Sequence, residues 1–156
     1  GAIRWSSVVV LAAANIAAPL RHVGADGNVR WNDDGYLFAW RVMLTERVVF
    51  VEYVVVDAAG GPSRRIRPDQ LLTEWQSTAA MRRPDLIAAT AHLIEQIEQA
   101  AGAADADVRA HAWVARNGRS SVRWIDPEID LTEVSRFDPH ASFVLAAPSV
   151  TGESDR

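Results

Sequence analysis

The sequence contains no cysteine, and this absence excludes disulfides, thiolate nucleophiles and zinc sites with cysteine ligands. A basic excess is also missing, because 16 basic residues stand against 20 acidic ones and the net charge is -4. Binding to a phosphate backbone normally needs the opposite sign, so the composition argues against nucleic acid as a partner. No apolar run is long enough to cross a bilayer alone, since residues 6–20 are interrupted by Asn15 and Pro19.

Motifs for the common catalytic chemistries are missing as well. There is neither a glycine-rich phosphate loop nor a nucleophile elbow, and none of the four histidines has metal-ligand spacing with another. The sequence therefore predicts no catalytic residue and no metal site. One alternative stays open, a self-contained hydrolase or calcium site built from Asp33, Asp34, Asp126 and Asp130.

The 156 residues are enough for one substantial core and too few for two ordinary domains. Residues 1–20 form a hydrophobic segment with two interpretations. It is either the end of a transmembrane helix, with Arg4 and Trp5 as an interface anchor, or a helix packed onto the domain. Residues 21–147 are expected to form the soluble domain, and residues 148–156 a flexible tail.

Two stretches in the first half have the composition of strands. In residues 36–44, alternate positions place Tyr36, Phe38 and Trp40 on one face. Residues 47–57 are rich in valine and predict a buried central strand, joined to the first by a tight connection at residues 45–46. A turn at residues 57–62 then leads to a shorter, polar edge strand at residues 63–67.

Helical signals follow in the second half. Thr73 and Gln76 have the spacing of a capping box, which predicts a short helix from there to about Arg82. Pro84 begins a second helix that ends near Gly102. Residues 108–116 alternate again, and the turn at residues 117–118 predicts a hairpin with a partner strand at residues 120–125. Residues 142–145 are the candidate for a final strand.

The resulting order of elements is ββ(β)ααββ. Strands and helices that are segregated in this way predict an α+β fold, a single domain with a mostly antiparallel sheet and two helices packed on one face.

Two segments concentrate aromatic residues, and composition alone assigns these aromatics to the core. Residues 27–44 place four aromatic side chains beside a short acidic turn, and residues 111–134 join Trp113 to an NGR turn and an IDPEIDL exit. In order and spacing, both segments resemble the part of vitamin K-dependent gamma-carboxylases, and of their bacterial HTTM-type homologues, that follows the transmembrane half. The resemblance covers residues 19 to about 131 and includes PLRH, LLTEWQ and RRPDLI.

The resemblance implies a parent membrane enzyme that couples oxidation of reduced vitamin K to carboxylation of glutamate side chains. Its lysine base lies in the membrane half, so this chain is expected to have no catalysis alone and no cofactor of its own. Reduced vitamin K or another quinol would belong to the membrane half. The residues carried over as candidates for substrate binding are Trp31, Tyr36 and Trp40, and those for partner docking are Trp113, Asn117 and Arg119.

The first functional hypothesis is therefore a membrane-associated, extracytoplasmic domain that recognises a substrate or partner. Its expected partners are the membrane domain of the same or another protein and an extended peptide, held by an aromatic groove beside a sheet edge. A second hypothesis is a non-catalytic assembly domain of a membrane complex, which a contiguous apolar surface would favour.

Overall fold

The computed structural model describes residues 2–24, 27–34, 46–57, 63–103 and 106–148. Three predicted segments lie wholly or mostly outside this part of the chain. They are the strand at residues 36–44, the turn at residues 57–62 and the tail from residue 149 to residue 156. Inside it, four α-helices, several 3-10 turns and one four-stranded antiparallel sheet form a single small domain. The predicted α+β class is confirmed.

The helices and strands are numbered along the chain. The helices are α1 (Ala2–Leu20), α2 (Val29–Asn32), α3 (Glu74–Met81) and α4 (Pro84–Ala100). The strands are β1 (Arg47–Asp57), β2 (Arg64–Ile66), β3 (Ala106–Arg116) and β4 (Val122–Arg123). Their order across the sheet is β2-β1-β3-β4.

β1 and β3 form the centre of the sheet. They pair over their whole length, from Arg47 opposite Arg116 to Asp57 opposite Ala106. Burial alternates along β3, so one face of the sheet enters the core and the other does not. We call the buried side, which contains Val51 and Tyr53, the inner face, and the other side the outer face.

Helices α3 and α4 cover the inner face. Ile87, Ala91 and Ile94 of α4 are completely buried, and the Tyr53 hydroxyl donates a hydrogen bond to the Ile87 carbonyl at 3.0 Å. Thr73 caps α3 through a capping box with Gln76, as its spacing predicts. Both helices were therefore predicted correctly, together with their packing on one face.

The β3–β4 connection is also the predicted hairpin, because Asn117 and Gly118 both have positive φ. The partner strand is shorter than expected. β4 covers only Val122–Arg123, and Ile125 forms a separate bridge to Val144. The final strand at residues 142–145 is therefore reduced to that single bridge.

Helix α1 is largely exposed to solvent. From Trp5 to Leu20, every residue except Pro19 is exposed, including Val9, Leu11 and Ile16. Among the described residues, no helix has both the length and the hydropathy needed to cross a membrane.

Candidate functional site

The outer face of the sheet carries an exposed aromatic pair. Phe50 on β1 lies opposite Trp113 on β3, with ring centroids 6.0 Å apart. Phe50 is 52% exposed, its neighbour Val48 is 68% exposed and Trp113 is half-buried. These side chains stand on the two longest strands, so their backbone is fixed by the sheet. We call Val48, Phe50, Trp113 and Arg123 the outer-face patch.

Charged groups surround this patch unevenly. Away from the patch, the charges on the outer face are paired. Glu52 pairs with Arg65 at 2.8 Å, and Asp107 pairs with Arg109 at 2.7 Å. Hydrogen bonding to Asp107 raises the pKa of Arg109. At the Trp113 end, the Arg123 guanidinium lies 5.2 Å from the centre of the indole ring. The patch therefore combines apolar surface with a cation over its largest ring.

The three residues predicted to dock a partner lie at this end of the sheet but differ in their roles. Trp113 is part of the outer-face patch. Asn117 forms the hairpin turn, where its side-chain oxygen accepts a hydrogen bond from the Glu46 amide at 3.0 Å. Arg119 is exposed just beyond the turn, which its amide closes by donating to the Arg116 carbonyl at 3.0 Å.

Trp31, predicted to face the substrate, is instead buried between the sheet and the C-terminal segment. It is 9% exposed, and its indole N–H donates to the Leu145 carbonyl at 2.7 Å. The Trp31 carbonyl accepts hydrogen bonds from Arg116 at 2.7 Å and from the Trp124 indole at 3.2 Å. These contacts make Trp31 a structural residue here, and its contact with a substrate stays a prediction. Tyr36 and Trp40 lie outside the described residues.

Two guanidinium groups stack with the buried tryptophans. The Arg116 guanidinium lies 4.6 Å from the centre of the Trp31 ring and 5.9 Å from that of Trp124, and Arg47 lies 5.5 Å from that of Trp124. Burial, and next the neighbouring Arg47 charge, lowers the pKa of Arg116 to about 10, while Asp33 acts in the opposite direction. The cluster therefore concentrates positive charge in the core.

Asp33 compensates part of that charge. Its carboxylate receives a forked hydrogen bond from the Arg47 guanidinium, with Nη2 to Oδ1 at 2.6 Å, and both side chains are about 5% exposed. Arg47 also donates to the Arg82 carbonyl at 3.2 Å. The buried ion pair thus joins the turn after α2 to β1 and to the end of α3.

Asp34 fixes the C-terminal segment. Its carboxylate accepts hydrogen bonds from the backbone amides of His140 at 2.8 Å and Ala141 at 3.2 Å. The His140 ring returns one hydrogen bond to the Asn32 carbonyl at 2.8 Å. Adjacent carboxylates therefore hold two different parts of the fold.

The remaining carboxylates of the alternative catalytic or calcium site act as local caps. Asp130 accepts from the amides of Val108 at 3.0 Å and Thr132 at 2.9 Å, and Asp126 accepts from the Glu128 amide at 3.0 Å. Within the described ranges, no group of three or more metal-ligating side chains converges. The geometry gives that alternative no support.

Sequence reasoning missed the buried network of Arg47, Arg116, Trp124 and His140. One signal was present for Arg47, because it occupies the same alternating positions of β1 as Val49, Val51 and Tyr53. A cation on the inward-facing side of a strand requires a buried anion. The partners that accept hydrogen bonds from the side chains of Arg116 and His140 lie more than 80 residues away in the sequence, so no local pattern indicates them.

Comparison with known proteins gives one match. The sequence profile described as vitamin K-dependent gamma-carboxylase, lumenal domain, matches residues 2–149. No curated protein and no solved structure matches the chain. The matched range contains both the outer-face patch and the buried cluster around Trp31.

Proposed function

The chain belongs to the family of vitamin K-dependent gamma-carboxylase lumenal domains, and we propose that it recognises an extended segment of a partner on the outer face of its sheet. A lumenal domain is an extracytoplasmic one, so this recognition would take place outside the cytoplasm. In this proposal the chain binds and orients its partner, and the reaction of the parent protein belongs to another part.

The observation that carries the proposal is the Phe50–Trp113 pair on the outer face, in which Phe50 is exposed and Trp113 is half-buried. Large aromatic side chains on a rigid surface are frequent energetic centres of interfaces, and arginine is the other residue type enriched there. Arg123 stands directly over Trp113. The inner face, in contrast, is already filled by α3 and α4.

Charge and shape indicate the kind of segment. An extended peptide presents alternate side chains to one surface, so apolar groups can lie on Phe50 and Trp113. An acidic group farther along the same side of the peptide would then meet Arg123 and Arg119, because the nearby carboxylate of Glu52 is paired with Arg65. We expect the occupant to be an extended segment whose sheet-facing side carries apolar side chains and an acidic one.

Binding of a blocked hexapeptide with leucine, leucine and glutamate at every second position and serine between them, measured by calorimetry, tests this assignment. Trp113→Ala should weaken binding at least tenfold, because truncating a central aromatic anchor typically costs about 2 kcal/mol or more. Trp75→Ala is the matched control, since Trp75 is 79% exposed on α3, on the opposite side of the sheet. It should leave binding unchanged.

Thermal unfolding separates recognition from packing. Trp113→Ala should keep a cooperative transition, and Phe50→Ser, which removes the second ring, should weaken binding in the same way. Equal loss of affinity in Trp75→Ala, or full affinity in both outer-face variants, would contradict the proposal.

A second candidate function is assembly, and a different feature favours it. Helix α1 exposes valine, leucine and isoleucine side chains over most of its length. A surface of this kind usually marks contact with protein or lipid. In this alternative, α1 packs against the membrane domain of the same or another protein, and the outer-face patch has no ligand.

A further inference from the structure

A cleft on the helical side of the domain is separate from the outer-face patch. It has a volume of about 370 Å³, which lies within the range of small-ligand pockets, ~300–1,000 Å³. One wall is the exposed side of α4 and the other is the loop that leads to His140. The residues that line this α4 cleft include Ala88, His92, Val134, Asp138, His140 and Phe143.

The floor of the cleft is apolar. Ala88, Val134 and Phe143 are buried, and the rings of Phe143 and His140 meet nearly edge to face with centroids 5.8 Å apart. A ligand that enters the cleft must therefore bring an apolar surface of its own, because this floor offers few polar partners.

Both imidazoles in the cleft have a tautomer fixed by a backbone carbonyl. A carbonyl oxygen only accepts hydrogen bonds, so the nitrogen facing it carries the proton in a neutral ring. His92 Nε2 lies 2.9 Å from the Val134 carbonyl, and His140 Nδ1 lies 2.8 Å from the Asn32 carbonyl. In the neutral rings, His92 Nδ1 and His140 Nε2 are consequently the acceptors.

Negative charge accompanies these acceptors. The Glu95 carboxylate lies 3.7 Å from His92 Nδ1, just outside the residues that line the cleft. Asp138 stands at the rim, where one carboxylate oxygen accepts from the Ser135 amide at 2.8 Å. Asp85 is neutralised by Arg83, whose guanidinium binds both of its oxygens at 2.5 and 3.0 Å.

The cation at the rim of the cleft, Arg136, stacks on an exposed aromatic ring. Among the described residues lining the cleft, Arg136 is the only arginine or lysine, and its guanidinium lies 5.2 Å from the centre of the Phe137 ring. Phe137 is 85% exposed and Arg136 is exposed as well, so this positive charge lies in contact with solvent. What remains inside is an apolar floor with acceptors and negative charge at its edge.

We propose that the α4 cleft binds a primary ammonium or guanidinium group on a short apolar stem, the chemistry of a lysine or arginine side chain. The stem lies on Ala88, Val134 and Phe143. The cationic head donates hydrogen bonds to His92, His140 and Asp138. This site does not depend on ligand binding at the outer-face patch.

An NMR titration of the full chain with blocked amino acids tests the proposal. The probes are N-acetyl-lysine methylamide, N-acetyl-arginine methylamide and, as the neutral analogue, N-acetyl-norleucine methylamide. The two cations should shift the amides of His92, Ser135 and Asp138 saturably, with dissociation constants on the order of 1 mM, as expected for fragment-sized ligands. Norleucine should bind at least fivefold more weakly.

Butylammonium, the lysine head and stem without a peptide backbone, separates two sources of such a ligand. Equal affinity for butylammonium and the lysine derivative assigns the site to a free amine, and tighter binding of the lysine derivative assigns it to a peptide side chain. Either result supports the cleft as a cation site. Equal binding of norleucine and lysine, or no saturable shift with any cation, would overturn it.

A charge variant supplies the matched control. Asp138→Asn keeps an oxygen for the Ser135 amide and removes the negative charge, so cation affinity should fall about threefold to fivefold, the size of a partly exposed ion pair. Asp69→Asn makes the same change at an exposed carboxylate that pairs with Arg67 and is not part of the cleft. Equal affinities in the two variants would exclude Asp138 as a ligand-binding group.

Discussion

Asp33 is the residue whose charge most directly supports the core, because it pairs with Arg47 where neither side chain reaches solvent. Asp33→Asn removes that charge and retains a side chain that tolerates its positive φ of 62°. Arg47 would then be a buried cation without its anion, and we expect unfolding to become easier by about 3 kcal/mol. Urea denaturation measures this difference.

The control for Asp33 is Glu128, whose side chain is 84% exposed and lies 3.6 Å from Arg109. Glu128→Gln should change the free energy of unfolding by less than about 0.5 kcal/mol, because exposed ion pairs contribute little. If Asp33→Asn is equally mild, the buried pair does not stabilise the fold as described.

Tyr53 gives a prediction about pH. Burial raises its pKa well above the ordinary value of about 10, and a hydrogen bond with Thr90 opposes this only in part. Above pH 10 the folded state keeps a proton that the unfolded state loses, so this contribution to stability is present below pH 10 and is lost as the pH rises further.

Arg116 has the opposite effect on how stability changes with pH. Its pKa is lowered to about 10, so the folded state loses this proton before the unfolded state does. The variant Tyr53→Phe isolates the tyrosine. Between about pH 9 and 11, wild type should lose about 1 kcal/mol of stability relative to Tyr53→Phe, measured by urea denaturation at each pH. Parallel curves for the two proteins would show that the phenol ionises normally in the fold.

At the residue scale, the sequence identified Asp33 and Asp34 as a distinctive pair but not their functions. Adjacent carboxylates in a loop suggest either a solvated turn or a cation site. In the structure, one neutralises an arginine of β1 and the other holds amides of the C-terminal segment. The position of Arg47 in β1 signalled that it needs a buried anion but not which one, and the amides bound by Asp34 lie more than 100 residues away.

At the scale of elements, the capping box of α3 is open to a simple test. Thr73→Ala removes the side-chain oxygen that accepts from the Gln76 amide, and should cost about 1 kcal/mol. Thr78→Ala, at an exposed position inside the same helix, should be neutral or slightly stabilising, since alanine has the higher helix propensity. Thermal unfolding compares the two, and equal effects would argue against the cap.

Elements with local signals were predicted best. Pro84 marks the first residue of α4, and the alternation of β3 and its asparagine-glycine turn are visible within a few residues. β4 was predicted too long because a segment distant in the sequence, residues 143–145, pairs with the chain just after β4. The Trp124 carbonyl accepts from the Leu145 amide at 2.9 Å, and the Asp126 amide donates to the Phe143 carbonyl at 2.9 Å, which draws the chain away from β3.

At the scale of the whole molecule, the described residues present three surfaces that differ in exposure: the outer-face patch, the α4 cleft and helix α1. Changing both Val9 and Leu11 of α1 to glutamate tests the third. These side chains are 64% and 66% exposed, so the free energy of unfolding of the domain should change by less than about 0.5 kcal/mol.

The same double variant should lower self-association or detergent binding, measured by sedimentation velocity with and without micelles, if α1 is an assembly surface. Wild type and variant that sediment identically in both conditions would contradict that function for α1. A large loss of stability would show that α1 packs on the domain more closely than its exposure indicates.

The contacts between residues 31–34 and 140–145 also bear on how the chain is made. The Trp31 side chain and the Leu145 carbonyl are 114 positions apart, so their hydrogen bond closes a far larger loop than any hairpin of the sheet. During synthesis, the Asp34 carboxylate and the Trp31 indole must wait for these late residues to emerge before they find their partners. The partner of Asp33, Arg47, follows after only 14 residues. The earliest-translated part of the core is therefore among the last to be locked in place.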